Sequence, residues 1–115
     1  MNKIILMTKT ELFSKDQQEF ASLFKALGNP ARLAILEYLA ETKMCISGDI
    51  SLELPLSRST VNQHLEVLKA HDLIKGDISG TSVNYCLNPK KIKTLKLITD
   101  TYFKKLGSDK NHDCK

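Results

Sequence analysis

The side chains that follow Ser57 have the chemistry that recognises DNA bases. Within two helical turns the chain carries Arg58, Ser59, Thr60, Asn62 and Gln63. Arginine pairs bidentately with guanine, asparagine and glutamine pair bidentately with adenine, and hydroxyl groups reach bases or phosphates. Each good bidentate contact contributes about 1–3 kcal/mol of base discrimination. Taken one by one, these residues are also typical of an ordinary solvated helix, so their meaning depends on the elements around them.

The three cysteines, Cys45, Cys86 and Cys114, are a second set of reactive side chains. An odd number of scattered cysteines argues against a structural disulfide framework and predicts free thiols, either buried or functional. The apolar run from Ile4 to Met7 is too short for a signal-peptide core or a membrane span, and no cleavage site follows it. We therefore expect a cytoplasmic protein.

Hydrophobic spacing predicts two helices in the first third of the chain. Apolar residues recur at helical spacing between Gln17 and Gly28, with Asp16 as the N-cap and Gly28 as the stop. Asn29 and Pro30 then predict the cap and first turn of a second helix. Its wide apolar face is formed by Leu33, Ile35, Leu36 and Leu39.

The middle of the chain predicts a third full helix and a hairpin. Residues 43–54 are typical of a brief extended piece that enters a short helix ending at Pro55. Ser57 caps the next helix, whose core face is formed by Val61, Leu65 and Leu68. Between Leu73 and Asn88 apolar residues alternate around a Ser79-Gly80 turn, which predicts a β-hairpin.

Length and composition predict one domain with a polar tail. Helical spacing returns at Pro89 and ends at Gly107. With 115 residues and 42% hydrophobic content there is room for one modest core, so we predict a single domain over residues 1–107 and a disordered tail over residues 108–115. The fold class is mainly α with a small β-hairpin wing (α+β), in the order of a winged helix-turn-helix.

The predicted fold gives the polar helix after Ser57 a place in the DNA major groove. A net charge of +4 favours an anionic partner. Lys69, Lys75, Thr81 and Ser82 fall at the helix end and the wing, where contacts with the DNA backbone add affinity without sequence choice. We find no glycine-rich phosphate loop or Ser-His-Asp motif, so we expect no enzyme. A protein-interaction module without DNA reading is the rival interpretation.

Three segments of the chain resemble the ArsR family of winged-helix repressors. They are FKALGNPARLAILEYL, LPLSRSTVNQHLEVLKAHDLI and ISGTSVNYCLN, and the likeness covers roughly residues 20–88. The resemblance implies a homodimer built from the first and last helices, repression in the unliganded state, and release by a metal, metalloid or thiol-reactive signal. The apolar stripes of both terminal helices agree with a dimer. Two-fold symmetry then predicts an imperfect palindromic operator.

The ligand positions of the family are only partly present. Relatives that sense metals carry a cysteine pair in a pattern like ELCVCDL, whereas this chain has KMCISGDI, in which Cys45 matches the first cysteine and Ser47 and Gly48 replace the second. Other relatives bind zinc through an Asp and a His two residues on, but here Asp100 is followed by Tyr102. Cys45 is therefore the residue that the resemblance retains.

Three interpretations of the cysteines remain open. In winged-helix folds the strand before the helix-turn-helix commonly pairs with the outgoing strand of the wing, which brings Cys45 near Cys86. With Cys114 they form a three-thiolate site for As(III), Sb(III) or a metal ion. The pair can instead form a reversible disulfide or persulfide, or both can be small buried hydrophobes. For His64 and His71 we expect packing or capping roles.

The sequence therefore predicts a homodimeric DNA-binding repressor that leaves its palindromic operator when a thiol-directed signal arrives. No cofactor is needed for DNA binding in this interpretation. The alternative is a redox-responsive, persulfide-responsive or non-sensing winged-helix regulator.

Overall fold

Four helices and a three-stranded sheet make up the described part of the chain. The computed structural model describes residues 12–42, 45–47, 54–79 and 82–107. Its elements are α1 (Lys15–Leu27), α2 (Pro30–Thr42), β1 (Ile46–Ser47), α3 (Arg58–Ala70), β2 (Ile74–Ser79), β3 (Ser82–Leu87) and α4 (Pro89–Leu106). The predicted mainly helical fold with a hairpin wing is confirmed. The short helix expected before Pro55 and the tail expected at residues 108–115 lie outside the described residues.

Helices α1 and α2 begin with side-chain caps. The prediction that Asp16 caps α1 is wrong, because the cap is Ser14. Its Oγ accepts a hydrogen bond from the Gln17 backbone N–H at 3.0 Å, and the Gln17 side chain accepts one from the Ser14 N–H at 3.0 Å. This reciprocal capping box satisfies two free N–H groups at once. The predicted cap of α2 is confirmed, since Asn29 Oδ1 accepts from the Ala31 N–H at 2.8 Å.

The core lies between α2, α3 and the sheet, with Leu23 of α1 at its edge. The predicted core face of α3 is confirmed, because Val61, Leu65 and Leu68 are at most 1% exposed. The other large members of this buried cluster are Ile35, Leu39, Leu73, Ile74 and Tyr85. Burying so much aliphatic surface is the main favourable term for a domain of this size, and it fixes α3 on the rest of the molecule.

The sheet is antiparallel, with the strand order β1-β3-β2. Strands β2 and β3 pair from Ile74↔Leu87 to Ser79↔Ser82, which confirms the predicted hairpin. Ser79 is part of β2 rather than of the turn. Within the described residues, strand β1 is two residues long and pairs with β3, so the outgoing strand of the hairpin is the centre of the sheet.

Gly76 in β2 has a conformation that other residues adopt only with strain. Its φ is +132°, and a Cβ built at this position collides with the carbonyl oxygen of Asn84 and the Cα of Tyr85. Both contacts are with backbone atoms of the paired strand, which cannot move away by a side-chain rotation. Tyr85 is also fully buried in the core. The hairpin therefore depends on glycine at position 76.

We predict that Gly76→Ala lowers the free energy of unfolding by about 2 kcal/mol or more, because strained φ and a backbone collision each cost on that order. Urea unfolding followed by circular dichroism measures the change. Gly107→Ala is the matched control, since Gly107 follows α4 at an ordinary φ of −103°. Equal stability of the two variants contradicts the prediction.

Candidate nucleic-acid interface

The first turn of α3 is held by hydroxyl groups. Ser57 is the N-cap, as predicted, and its Oγ accepts a hydrogen bond from the Thr60 backbone N–H at 3.3 Å. The same Oγ donates to Thr60 Oγ1 at 2.9 Å. These bonds satisfy a free N–H group of the helix start and keep the first turn intact. The hydroxyl groups of Ser57 and Thr60 are therefore both engaged in hydrogen bonds at the start of α3.

The exposed face of this first stretch carries most of the predicted base-contacting residues. Arg58, Ser59 and Gln63 are exposed, while Thr60 and Asn62 are half-buried. They share one end of α3 because Val61 and Leu65 turn the opposite face into the core. The structure thus gathers Ser57 to Gln63 at the helix start, with guanidinium, amide and hydroxyl groups together.

The predicted backbone-contacting residues lie further along the chain. Lys69 is exposed in the last turn of α3, about 16 Å from the helix start at 1.5 Å per residue. Lys75 is exposed on β2. Ser82 begins β3, opposite Ser79, and Thr81 lies outside the described residues. The described members of this set therefore lie at the end of α3 and on the two strands of the wing.

Sequence reasoning missed Arg32, which connects α1 and α2 to α3. Its Nε donates to the carbonyl oxygen of Ala26 at 2.5 Å, and its Nη2 donates to that of Lys25 at 3.2 Å. Its Nη1 donates to His64 Nδ1 at 3.1 Å. One guanidinium thus satisfies carbonyls at the C-terminal end of α1, where a positive charge is favoured, and fixes a side chain of α3. Only the tertiary fold brings these three elements together.

His64 is held as a neutral acceptor by this contact. Arginine can only donate, so His64 Nδ1 must accept and the proton must lie on Nε2. Partial burial and the nearby Arg32 guanidinium together lower the pKa of His64. The imidazole therefore helps to orient α3 without adding a charge to it.

His71 closes the other end of α3, as its expected capping role requires. It is the C-cap, and its Nδ1 donates to the carbonyl oxygen of Val67 at 3.0 Å. That assignment leaves Nε2 as the acceptor for the Ser22 hydroxyl of α1 at 3.0 Å. Helix α1 is thus hydrogen-bonded to α3 through His71 and, by way of Arg32, through His64.

The expectation of free thiols is wrong for two of the three cysteines. Cys45 and Cys86 form a disulfide, with their Cα atoms 4.3 Å apart. The predicted proximity of the two is correct, and the reason is the pairing of β1 with β3. Cys45 is exposed and Cys86 half-buried, so the interpretation of both as buried hydrophobes is also wrong. Cys114 lies outside the described residues.

Within the described ranges, no group of three or more His, Cys, Asp or Glu side chains is placed to hold a metal ion. A three-thiolate site needs Cys114 and the reduced forms of the other two cysteines. None of the described helices is long and apolar enough to cross a membrane.

Helices α1 and α4 share an aromatic patch, formed by Phe20, Phe24, Tyr102 and Phe103. The ring centroids of Phe20 and Tyr102 are 4.5 Å apart, and those of Phe24 and Phe103 are 6.4 Å apart. The patch is partly open to solvent, since Phe24 is 39% and Phe103 52% exposed. Leu97 and Leu106 add further exposed apolar surface on α4.

Comparison with known proteins gives a consistent result. The sequence pattern of the bacterial regulatory protein, arsR family, matches residues 29–75, from the cap of α2 into β2. A transcriptional repressor SmtB homolog from Synechocystis sp. is 30% identical over 92 residues, which cover 79% of this chain and 69% of the relative. The transcriptional repressor SdpR from Bacillus subtilis is 33% identical over 67 residues, which cover 58% of this chain and 73% of the relative.

A solved structure shows the same fold. The ArsR-like transcriptional regulator from Rhodococcus sp. RHA1 superposes with a TM-score of 0.53 at 27% sequence identity, covering 78% of this chain and 88% of that one. These relatives regulate transcription and are not enzymes. The chain therefore belongs to the arsR family of bacterial regulatory proteins and is itself a transcriptional regulator.

Proposed function

We propose that the protein is a homodimeric cytoplasmic repressor that binds an imperfect palindromic operator through the start of α3. The observation that carries the proposal is the capped start of α3, whose exposed side carries Arg58, Ser59 and Gln63. A helix that is packed on one face and polar at its exposed start can enter a major groove without rearranging. Arg58 is assigned to guanine, and Asn62 and Gln63 to adenine.

Backbone contacts supply the remaining affinity. Lys69 and Lys75 are exposed cations at the end of α3 and on β2 of the wing, and Ser82 begins β3. Thr81 keeps the backbone-contacting role that the sequence suggests. Contacts of this kind neutralise phosphates and release counterions, so binding should weaken steeply as salt rises. A protein that binds only other proteins has no reason to show such salt dependence together with a preference for one palindrome.

We predict that Arg58→Ala and Gln63→Ala each weaken operator binding by about 1–3 kcal/mol and relax base choice at one position of each half-site. Fluorescence anisotropy on duplexes from upstream of the gene, with single-base variants, measures both effects. Lys104→Ala is the charge-matched control for Arg58→Ala, because Lys104 is exposed in the last turn of α4. Full affinity and unchanged base choice in both test variants would refute the assigned reading residues.

Dimerisation is supported by the surface of the terminal helices. The aromatic patch and the exposed leucines of α4 place large apolar side chains on the surface of neighbouring helices, which is typical of a protein contact site. A second copy is the proposed occupant, since a two-fold contact pairs like surfaces and presents two copies of α3 to one palindrome.

We predict that Phe103→Lys converts the dimer into a monomer, because it places a charge in the centre of the proposed contact. Light scattering coupled to size exclusion measures the mass, and circular dichroism confirms folding. Asp100→Asn changes the net charge by the same amount on an exposed position of α4 and should remain dimeric. A wild-type protein that is monomeric at micromolar concentration would contradict this part of the proposal.

The releasing signal is proposed to act on thiols. Support comes from the distance between Cys45 and Cys86 and from the cysteine chemistry, since soft thiolates select soft centres such as As(III) and Sb(III). Cytoplasmic reductants would keep the pair in the dithiol form that a metalloid requires. Arsenic bound between the two sulfur atoms holds them further apart than a direct S–S bond, and Cys114 is proposed as a third ligand.

We predict that As(III) releases the reduced protein from its operator at a few equivalents, with a coupling of about 1–3 kcal/mol. Anisotropy of the operator complex, titrated with arsenite, measures the release. Cys45→Ser should abolish it, whereas Lys104→Ala, which leaves every thiol in place at an exposed position of α4, should respond like the wild type. Tight binding without release would exclude metalloid sensing and leave redox or persulfide control of the same cysteines as the alternative.

A further inference from the structure

The Cys45–Cys86 disulfide extends a very short strand. Strand β1 is paired with β3 through Ile46↔Tyr85 and Ser47↔Asn84. Continuing this antiparallel register by one residue sets Cys45 directly opposite Cys86. Their Cα separation of 4.3 Å is that of a close cross-strand pair. The crosslink is therefore a third, covalent pair added to two residue pairs.

We propose that this disulfide is a redox-controlled latch that holds the wing against the strand preceding α3 and thereby raises operator affinity. The inference rests on the proposed DNA-binding function and names a regulation of the same site. It differs from metalloid release, because here oxidation strengthens binding and no ligand is needed.

The position of the disulfide explains how it can affect the DNA-binding elements. The two cysteines are 41 residues apart, and the loop that they close contains all of α3 and β2. On its other side Cys86 is paired with Lys75 of β2, and the neighbouring Tyr85 is fully buried. Beyond β1 the chain continues through residues 48–57 into α3. The latch thus joins β1, which precedes α3 in the chain, to the anchored strand of the wing.

Preorganisation predicts that the disulfide strengthens operator binding. Two backbone pairs constrain β1 weakly, so breaking the crosslink lets β1 and β3 sample more relative conformations. Those conformations must be given up again when α3 and the wing engage DNA together, and this loss opposes binding. The crosslinked protein has already lost them. The reduced protein should therefore bind the same operator more weakly.

The chemistry needs only a peroxide and a thiol reductant. A cysteine thiolate attacks one oxygen of hydrogen peroxide, the O–O bond breaks, and after proton transfer a sulfenic acid and water result. The second thiolate attacks that sulfur, the S–O bond breaks, and a second water leaves. In total two thiols and one peroxide give one disulfide and two waters. A small dithiol returns two electrons and two protons through a mixed disulfide. Cys45 is exposed, so both reagents reach the pair.

Operator affinity in the two redox states tests the latch. Anisotropy should give about tenfold weaker binding for dithiothreitol-reduced protein than for peroxide-oxidised protein, within the range of typical couplings. Cys45→Ser and Cys86→Ser should stay at the reduced value in both states. Cys114→Ser, which retains the pair, should keep the full difference. Peptide mapping under non-reducing conditions confirms which cysteines are linked.

Amide hydrogen exchange provides a readout that needs no DNA. Reduction should speed exchange in β1 and at Asn84 of β3, and Cys114→Ser should show the same change. Equal affinity in both states, tighter binding of the reduced form, or identical exchange would each overturn the latch. If no redox state binds any operator, the proposed function fails, and the exchange experiment still decides whether the crosslink holds β1 on β3.

Discussion

The apolar stripe of α3 is buried together with Ile35 and Leu39 of α2 and Tyr85 of β3, and this contact fixes where every polar side chain of α3 points. A helix has only two broad faces, so anchoring Val61, Leu65 and Leu68 in the core leaves Arg58 and Gln63 facing outward. The same packing holds the hairpin, since Leu73 and Ile74 at its base belong to the buried cluster. The positions of α3 and the wing therefore depend on one shared core.

Hydrogen bonds fix the orientation of α3 more closely than its apolar contacts do. Apolar packing is not directional, and a helix can rotate or slide by a fraction of a turn at modest cost. Arg32 contacts His64 in the middle of α3 and also bonds to carbonyl oxygens of α1. At the end of α3, His71 bonds to Ser22 of α1. Because α1 also carries half of the aromatic patch, the proposed dimer surface is connected to α3 through these polar contacts.

Much of the fold could be predicted from the sequence because it follows from local patterns. The apolar spacing of α3 predicts a helix and the alternation from Leu73 to Asn88 predicts a hairpin, and both are confirmed. The cap of α1 was misassigned because Asp16 and Ser14 are both good capping types. The decisive sign was Gln17, three residues after Ser14, which completes a capping box.

Features that depend on tertiary contact could not be predicted from the sequence in the same way. The role of Arg32 requires α1, α2 and α3 to meet, and no local pattern indicates that. The positive φ of Gly76 arises from the close approach of β3. The odd number of cysteines argues against a disulfide framework. A single cross-strand disulfide depends only on the strand register, and the pairing of β1 with β3 places Cys45 opposite Cys86.

Two structural connections therefore hold α3 and its wing. One runs from the terminal helices through Arg32 and His71, and it links α3 to the surface proposed for dimerisation. The other is the Cys45–Cys86 crosslink, which joins β1 to β3 of the wing. This second connection is covalent and involves neither α1 nor α4. A chemical event at the cysteine pair can thus change how one α3 and its wing are held without first altering how two copies associate.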